Sequence, residues 1–310
     1  MQKSVLGIIE MVDLCIIGAP RCGTSSLFRW LTAHPLISGP KAKKELFFFM
    51  DADHPLIEDP NIHTTSSGAY RTLFPDDPRT YTIEGTAHYF FQNTARTYLP
   101  RLDSEPLIVV VVRDPAQRVW SSFQYTRNNR ARMNPSLKFP QYVELGLKEK
   151  YDSIREHISH PGSAYVLSRD IEYGQYIDYL LSWQESVGEE RLVVVSFAEM
   201  IEDPKTTCWQ LASAVGVNPE FYDDFEFEAR NETYTVSSRL LHSIARSIGK
   251  RVPEGWLKRL GKLAYMAGAT TEQRTKSNEE EKALKQLGEY YAPYNERLSE
   301  EFDIDVSAWT

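Results

Sequence analysis

The sequence contains little cysteine. Its 310 residues include three cysteines, Cys15, Cys22 and Cys208. Their positions lack metal-ligand spacing, and Cys15 lies in an apolar run, so we expect neither a disulfide framework nor a bound metal. A chain of this kind suits a reducing compartment, and we predict a cytoplasmic location.

The sequence also lacks excess positive charge and long apolar runs. Lys and Arg number 35 against 43 Asp and Glu, which gives a net charge of -8. This balance disfavours a general nucleic-acid binder and weakens the case for a long polyanionic substrate, so any anion site must be local. Near the N-terminus, Glu10 and Asp13 interrupt the one apolar stretch, which is too short and too charged for a signal peptide or a membrane span.

Three segments combine a strand, a loop and a helix. An apolar run at Val12–Ile17 precedes a helical pattern at Thr24–Ala33. A second run, Leu107–Val112, precedes a helix whose first turn suits Pro115. The third unit is "RLVVVSFAEM", followed by a helical pattern over Pro204–Val215.

This alternation predicts an α/β fold. We expect a central, mostly parallel sheet flanked by helices, in a three-layer sandwich of the P-loop nucleotide-binding kind. Further predicted elements are a strand at Tyr81–Glu84 and helices near Gln175–Glu185 and Glu279–Glu300. The chain has no internal repeat and no low-complexity linker, so we predict one domain over residues 1–310. The sequence carries no signal for an oligomeric state.

Two segments are polar and irregular, Arg127–Pro140 and Tyr222–Lys262. Each can be interpreted either as an active-site loop or as a solvated connection.

The loop after the first strand, "GAPRCGTSSL", lacks a lysine. Gly18 and Gly23 have the spacing of a Walker A loop, but Thr24 stands where the phosphate-binding Lys belongs, and the basic residue is Arg21. The loop and the following helix N-terminus still favour an anion, with hydroxyl and amide donors at Thr24, Ser25 and Ser26. Nucleoside triphosphate hydrolysis is therefore the poorer interpretation.

Two segments resemble the sulfotransferases that use 3′-phosphoadenosine 5′-phosphosulfate (PAPS). "GAPRCGTSSLFRWLTAHP" resembles their 5′-phosphosulfate loop, and "VVRDPAQRVWSSFQY" resembles their 3′-phosphate segment. The resemblance implies that Arg113 and Ser121 hold the 3′-phosphate, and that the loop binds the phosphosulfate through Arg21, Cys22, Gly23, Thr24, Ser25 and Ser26. A guanidinium at the end of a strand and a hydroxyl two helical turns later suit a phosphate.

The segment "KAKKELFFFMD" suggests a catalytic base. Glu45, close before paired Phe residues, resembles the base of glycosaminoglycan-type sulfotransferases, and Lys44 would orient the cosubstrate or the acceptor. The alternative is that Glu45 only neutralises Lys43 and Lys44 on a solvated turn.

The segment "TIEGTAHYF" departs from the family pattern. Glu84, Thr86 and Tyr89 match it, but Gly85 replaces the Lys of the carbohydrate-type enzymes, which puts a glycosaminoglycan substrate in doubt. Positive charge would then come from Arg21 or Lys44. Nearby His88 is an alternative base of the kind used by small-molecule sulfotransferases.

The resemblance thus implies an enzyme that moves a sulfuryl group to the hydroxyl of a carbohydrate or small-molecule acceptor, without a metal, and releases adenosine 3′,5′-bisphosphate (PAP). Two other functions stay open: a nucleotide kinase, which would need magnesium, and a nucleotide-binding module without turnover.

Overall fold

The structure is a computed structural model that describes residues 12–76, 81–228, 235–236, 269–270 and 275–310. It divides into two compact units. The first consists of the described residues within Met1–Arg113, Gln175–Asn231 and Tyr294–Ser307; the second of those within Asp114–Gly174, Glu232–Pro293 and Ala308–Thr310.

The strands are β1 Leu14–Gly18, β2 Ile37–Ser38, β3 Tyr81–Glu84, β4 Leu107–Val112, β5 Leu192–Ser196, β6 Thr235–Val236 and β7 Ala269–Thr270. The α-helices in the described residues are α1 Thr24–Thr32, α2 Ser67–Arg71, α3 Asn93–Tyr98, α4 Pro115–Gln124, α5 Phe139–Leu147, α6 Tyr151–Arg155, α7 Pro161–Ser168, α8 Tyr176–Val187, α9 Phe197–Glu202, α10 Pro204–Ala214 and α11 Asn278–Phe302.

The first unit is built on a five-stranded sheet in the order β2-β3-β1-β4-β5. Each of its strand pairs is parallel. The residues of β1 are all buried, as are five of the six in β4, which is the pattern of strands covered on both faces. On α8, the indole of Trp183 donates to the carbonyl of Phe90 at 3.0 Å. The predicted α/β fold with a central parallel sheet is confirmed.

The second unit has an apolar core of its own. Helices α4, α5 and α7 and the first part of α11 contribute to it, with Phe123, Tyr142, Leu167 and Leu287 among its buried side chains. Asp114 caps α4 by accepting from the amides of Ala116 and Gln117, so the helix begins at Pro115 as the sequence predicts.

The two predicted loops have different outcomes. Arg127–Pro140 contains the end of a helical turn, Tyr125–Asn129, and the start of α5. Tyr222–Lys262 lies mostly outside the described residues, as does the N-terminal stretch before Val12. All three cysteines are buried thiols. Within the described part of the chain, every helix is too short or too polar to cross a membrane.

Candidate active site

Four strands of the first unit end at the same edge of its sheet, because they run parallel. The chain leaves β1 into the loop at residues 19–23, β3 into Gly85, β4 into Arg113 and β5 into Phe197. Three of these exits carry residues that the sequence singles out. Parallel topology therefore gathers the loop, the Gly85 segment and Arg113 at one edge.

The loop between β1 and α1 has the backbone of an anion site. Arg21 and Gly23 have positive φ values of 71° and 80°, and α1 begins at Thr24 with no acidic side chain in its first turn. A Cβ at Gly23 would lie 2.7 Å from the Met200 methyl carbon and 2.8 Å from Cε2 of Phe197. Glycine is thus required by both conformation and space. The first amides of a helix lack intrahelical acceptors, so this geometry suits an anion.

Of the loop residues, Cys22 faces inward. Its Sγ atom lies 3.7 Å from the hydroxyl of Tyr176, and its amide donates to the carbonyl of Ala19. Both contacts brace the loop. Ser25 is half-buried, while Ser26 is buried and its amide donates to the carbonyl of Gly23.

Phe197 links the loop to Arg113. The guanidinium of Arg113 lies over the Phe197 ring, 4.8 Å from its centroid, and the same ring touches Gly23. An aromatic face attracts a cation electrostatically, so this contact restricts the orientation of the guanidinium group. Sequence reasoning missed Phe197; the signal was an aromatic residue immediately after β5, in the position equivalent to Arg113 after β4.

Lys44 reaches from its own loop to the start of α1. Its Nζ atom lies 3.3 Å from Oγ1 of Thr24 and 3.5 Å from Oε1 of Glu45. The Lys44 side chain is 18% exposed, and burial lowers its pKa although Glu45 acts in the opposite direction. The neighbouring Lys43 is directed elsewhere and bonds Glu58. Lys44 therefore brings the anion loop and the candidate base together.

Gly85 leaves room for Lys44. A Cβ at Gly85 would lie 2.7 Å from Cε of Lys44 and 2.8 Å from Cδ2 of Phe28. The aliphatic stem of Lys44 occupies the space that a side chain at position 85 would need. The departure from the family pattern at Gly85 thus coincides with a lysine that passes over the same position.

Glu45 stands beside an unusual backbone turn. Its side chain is 35% exposed, and two residues later Phe47 has a positive φ of 55°. A bulky residue in this region costs about 1–3 kcal/mol and persists where its surroundings impose it. The ring of His88, the alternative base, lies 6.3 Å from that of Phe47, centroid to centroid.

The match to known proteins covers most of the chain: residues 12–277 match the sulfotransferase domain family. The chain belongs to this family. The resemblance found in the two quoted segments is therefore confirmed at the level of the family.

Sulfotransferase relatives include two curated proteins. The chain is 26% identical over 266 residues to bifunctional heparan sulfate N-deacetylase/N-sulfotransferase 1 of Caenorhabditis elegans, with 82% of this chain and 28% of that protein covered. It is 24% identical over 293 residues to human heparan sulfate glucosamine 3-O-sulfotransferase 3B1, with 93% of this chain and 63% of that protein covered. The chain thus spans less than two thirds of the length of either.

A solved sulfotransferase shares the fold. The crystal structure of the sulfotransferase from Alicyclobacillus acidocaldarius aligns with a TM-score of 0.62 at 22% identity, over 96% of this chain and 98% of that one.

Two further features of this sulfotransferase-family chain concern the predicted site. Ser121 lies half-buried on α4 in the second unit. Among the described residues, no group of three or more His, Cys, Asp and Glu side chains is placed to hold a metal ion.

Proposed function

We propose that this chain transfers a sulfuryl group from PAPS to an acceptor hydroxyl, with Glu45 as the general base. The observation that carries the proposal is the junction at Lys44, whose ammonium group lies against both Thr24 of the anion loop and the carboxylate of Glu45. A general base must lie close to the place where the sulfuryl group is held. Lys44 contacts both the loop proposed to hold that group and the proposed base.

The residues of the first unit fit a phosphosulfate. The N-terminal turn of α1 carries no acidic side chain, Gly23 admits no larger residue, and Arg113 lies against Phe197 near the same loop. When bound, PAPS supplies a sulfuryl group that is activated by its phosphosulfate linkage. Arg21 and the residues from Cys22 to Ser26 would cradle the linkage, and Arg113 and Ser121 would hold the 3′-phosphate.

Each charged group then has one task. Glu45 takes the proton of the acceptor hydroxyl as that oxygen attacks sulfur in line. Lys44 and Arg21 stabilise the negative charge that develops on the bridging oxygen when the sulfur–oxygen bond breaks. No step requires a metal, and PAP is the product released.

Carbohydrates are the first acceptors to examine. The two curated relatives are named as heparan sulfate enzymes, which favours a sugar. The net charge of -8 disfavours a long polyanionic chain, so neutral glycans and small-molecule alcohols belong in the same panel. We further propose that residues 1–310 act as one domain in the cytoplasm.

The proposed donor can be tested by comparing ligands. We expect PAP to raise the melting temperature of the protein, because it occupies both phosphate sites, and we expect ATP with magnesium to have a smaller effect. Incubation with PAPS and an acceptor panel should then yield PAP and a sulfated product. Stabilisation by ATP and magnesium alone would favour a kinase, and stabilisation by PAP without turnover on any acceptor would favour a binding module.

The role of Arg113 gives a second prediction. Arg113→Ala should weaken PAP binding by about 1.5–3 kcal/mol, the usual contribution of a hydrogen bond to a charged group. Arg113→Lys should lie between Ala and the wild type, because it keeps the charge and loses the planar fork. Isothermal titration with PAP measures both variants.

The matched control for Arg113 is Arg101→Ala, which removes an exposed arginine of the same unit. Unchanged PAP affinity in Arg113→Ala would refute its assignment to the 3′-phosphate.

A further inference from the structure

The backbone that follows Glu45 is held by side chains of another segment. Thr86 Oγ1 accepts from the amide of Leu46 at 2.8 Å and from that of Phe47 at 3.4 Å. The hydroxyl oxygen of Tyr89 accepts from the amide of Phe49 at 3.1 Å. These bonds reach the backbone from the residue after Glu45 onward and include Phe47, whose φ is positive.

Glu84 fixes the direction of the Thr86 hydroxyl. The hydroxyl of Thr86 donates to Oε1 of Glu84, and that of Tyr70 donates to Oε2 at 2.5 Å. A hydroxyl has one proton, so once Thr86 has given it to Glu84, its oxygen can only accept from the backbone amides. Glu84 and Thr86 are each 1% exposed, so these bonds lie in a buried environment of low dielectric constant, where they are strengthened.

The groups around Glu84 donate to it. Burial raises the pKa of Glu84 to about 7, whereas hydrogen bonds from three hydroxyls and one backbone amide act in the opposite direction and favour its carboxylate form. Burial also raises the pKa values of Tyr70, Tyr89 and Cys15 around it, so these groups stay neutral. Glu84 also interacts electrostatically with Lys44 and acts to raise the pKa of that lysine.

We propose that Glu84 and Thr86 are positioning residues that hold the backbone after Glu45 and thereby aim its carboxylate at the acceptor. Neither residue need touch the substrate. This inference rests on the proposed function, since it concerns the base of that reaction.

Two substitutions at Thr86 separate positioning from packing. Thr86→Val keeps the shape and removes the hydroxyl, whereas Thr86→Ser keeps the hydroxyl and removes the methyl group. We expect Val to lower kcat roughly 10- to 100-fold, because small displacements of a reacting group have effects of this size, with the KM for PAPS nearly unchanged. Ser should stay close to the wild type. Thr207→Val, which removes another buried threonine hydroxyl of the first unit, is the control.

Hydrogen exchange provides a measurement that needs no turnover. The amides of Leu46 and Phe47 should exchange faster in Thr86→Val than in the wild type or Thr86→Ser. If Thr86→Val fails to fold, Glu84→Leu replaces it, since it removes both acceptor oxygens, leaves the Thr86 hydroxyl free to turn, and should also release these amides.

The proposal is overturned if Thr86→Val keeps the wild-type kcat, or if exchange at Leu46 and Phe47 is the same in all variants. If Thr86→Ser loses activity while Thr86→Val retains it, the methyl group of Thr86 matters for packing and the hydroxyl does not. This result would also overturn the proposal. If the wild type transfers no sulfuryl group to any acceptor, the proposed function fails, and the exchange experiment still decides whether Glu84 and Thr86 hold this backbone.

Discussion

Glu45→Gln should reduce the rate of sulfuryl transfer by about 10²–10⁴-fold, the range that general acid–base catalysis contributes. The substitution keeps the size of the side chain and removes the proton acceptor. PAP binding should be nearly unchanged, because Glu45 is not among the residues proposed to hold the phosphates. Steady-state rates with PAPS and titration with PAP measure the two effects separately.

Glu58→Gln is the matched control for Glu45. It removes another carboxylate of the loop between β2 and α2, one that bonds Lys43, and should leave turnover unchanged. Because Glu45 raises the pKa of Lys44, Glu45→Gln also makes Lys44 easier to deprotonate. The comparison should therefore be repeated at mildly acidic pH, where the ammonium group persists. Near-normal turnover in Glu45→Gln would place the base elsewhere, and His88→Asn would then be the next variant.

The strands and the first helix could be predicted because local sequence determines them. Leu107–Val112 is a continuous apolar run and forms β4 with the same bounds. The predicted helix at Thr24–Ala33 appears as α1 and ends one residue earlier. Such elements can be predicted from a local pattern of apolar residues and from the glycine and proline residues at its ends.

The helices α5, α6 and α7 were not predicted. They have nine, five and eight residues, and α5 and α7 each contain proline and glycine. Elements this short show too few turns for a helical period to emerge, so their structure depends on the apolar core of the second unit. Tertiary packing, rather than propensity, accounts for them.

The contacts that assemble the site also lie beyond the sequence. Phe197 could be read as the start of a helix, but its position between Gly23 and Arg113 depends on strand order. Glu84 matched a family pattern, and its burial among tyrosine hydroxyls appears only in three dimensions. Residue types and strand ends were predictable, whereas the pairing of loops was not.

We expect the second large effect on kcat from substitution of Lys44. Its ammonium group can be removed, and it can also be moved to position 85 of the same site. Lys44→Met keeps most of the stem and removes the ammonium group, so it should lower kcat by about 10²–10³-fold, as the loss of one preorganised donor does. Lys43→Met is the control, because Lys43 is an exposed neighbour that bonds Glu58.

Moving the charge to position 85 tests whether the lysine acts by its location. Gly85→Lys alone should impair the protein, because its Cβ would lie within 2.7 Å of Lys44 Cε and 2.8 Å of Phe28. In Lys44→Ala the stem is gone, so the ring of Phe28 is left to shift by a few tenths of an ångström, and Gly85 has no positive φ to oppose a side chain. The double variant Lys44→Ala/Gly85→Lys should therefore recover part of the kcat that Lys44→Ala loses, whereas Lys44→Ala/Gly85→Met should recover none. Equal rates in the two double variants would show that the ammonium group does not act from this place, and that Lys44 serves instead to brace Thr24 and Glu45.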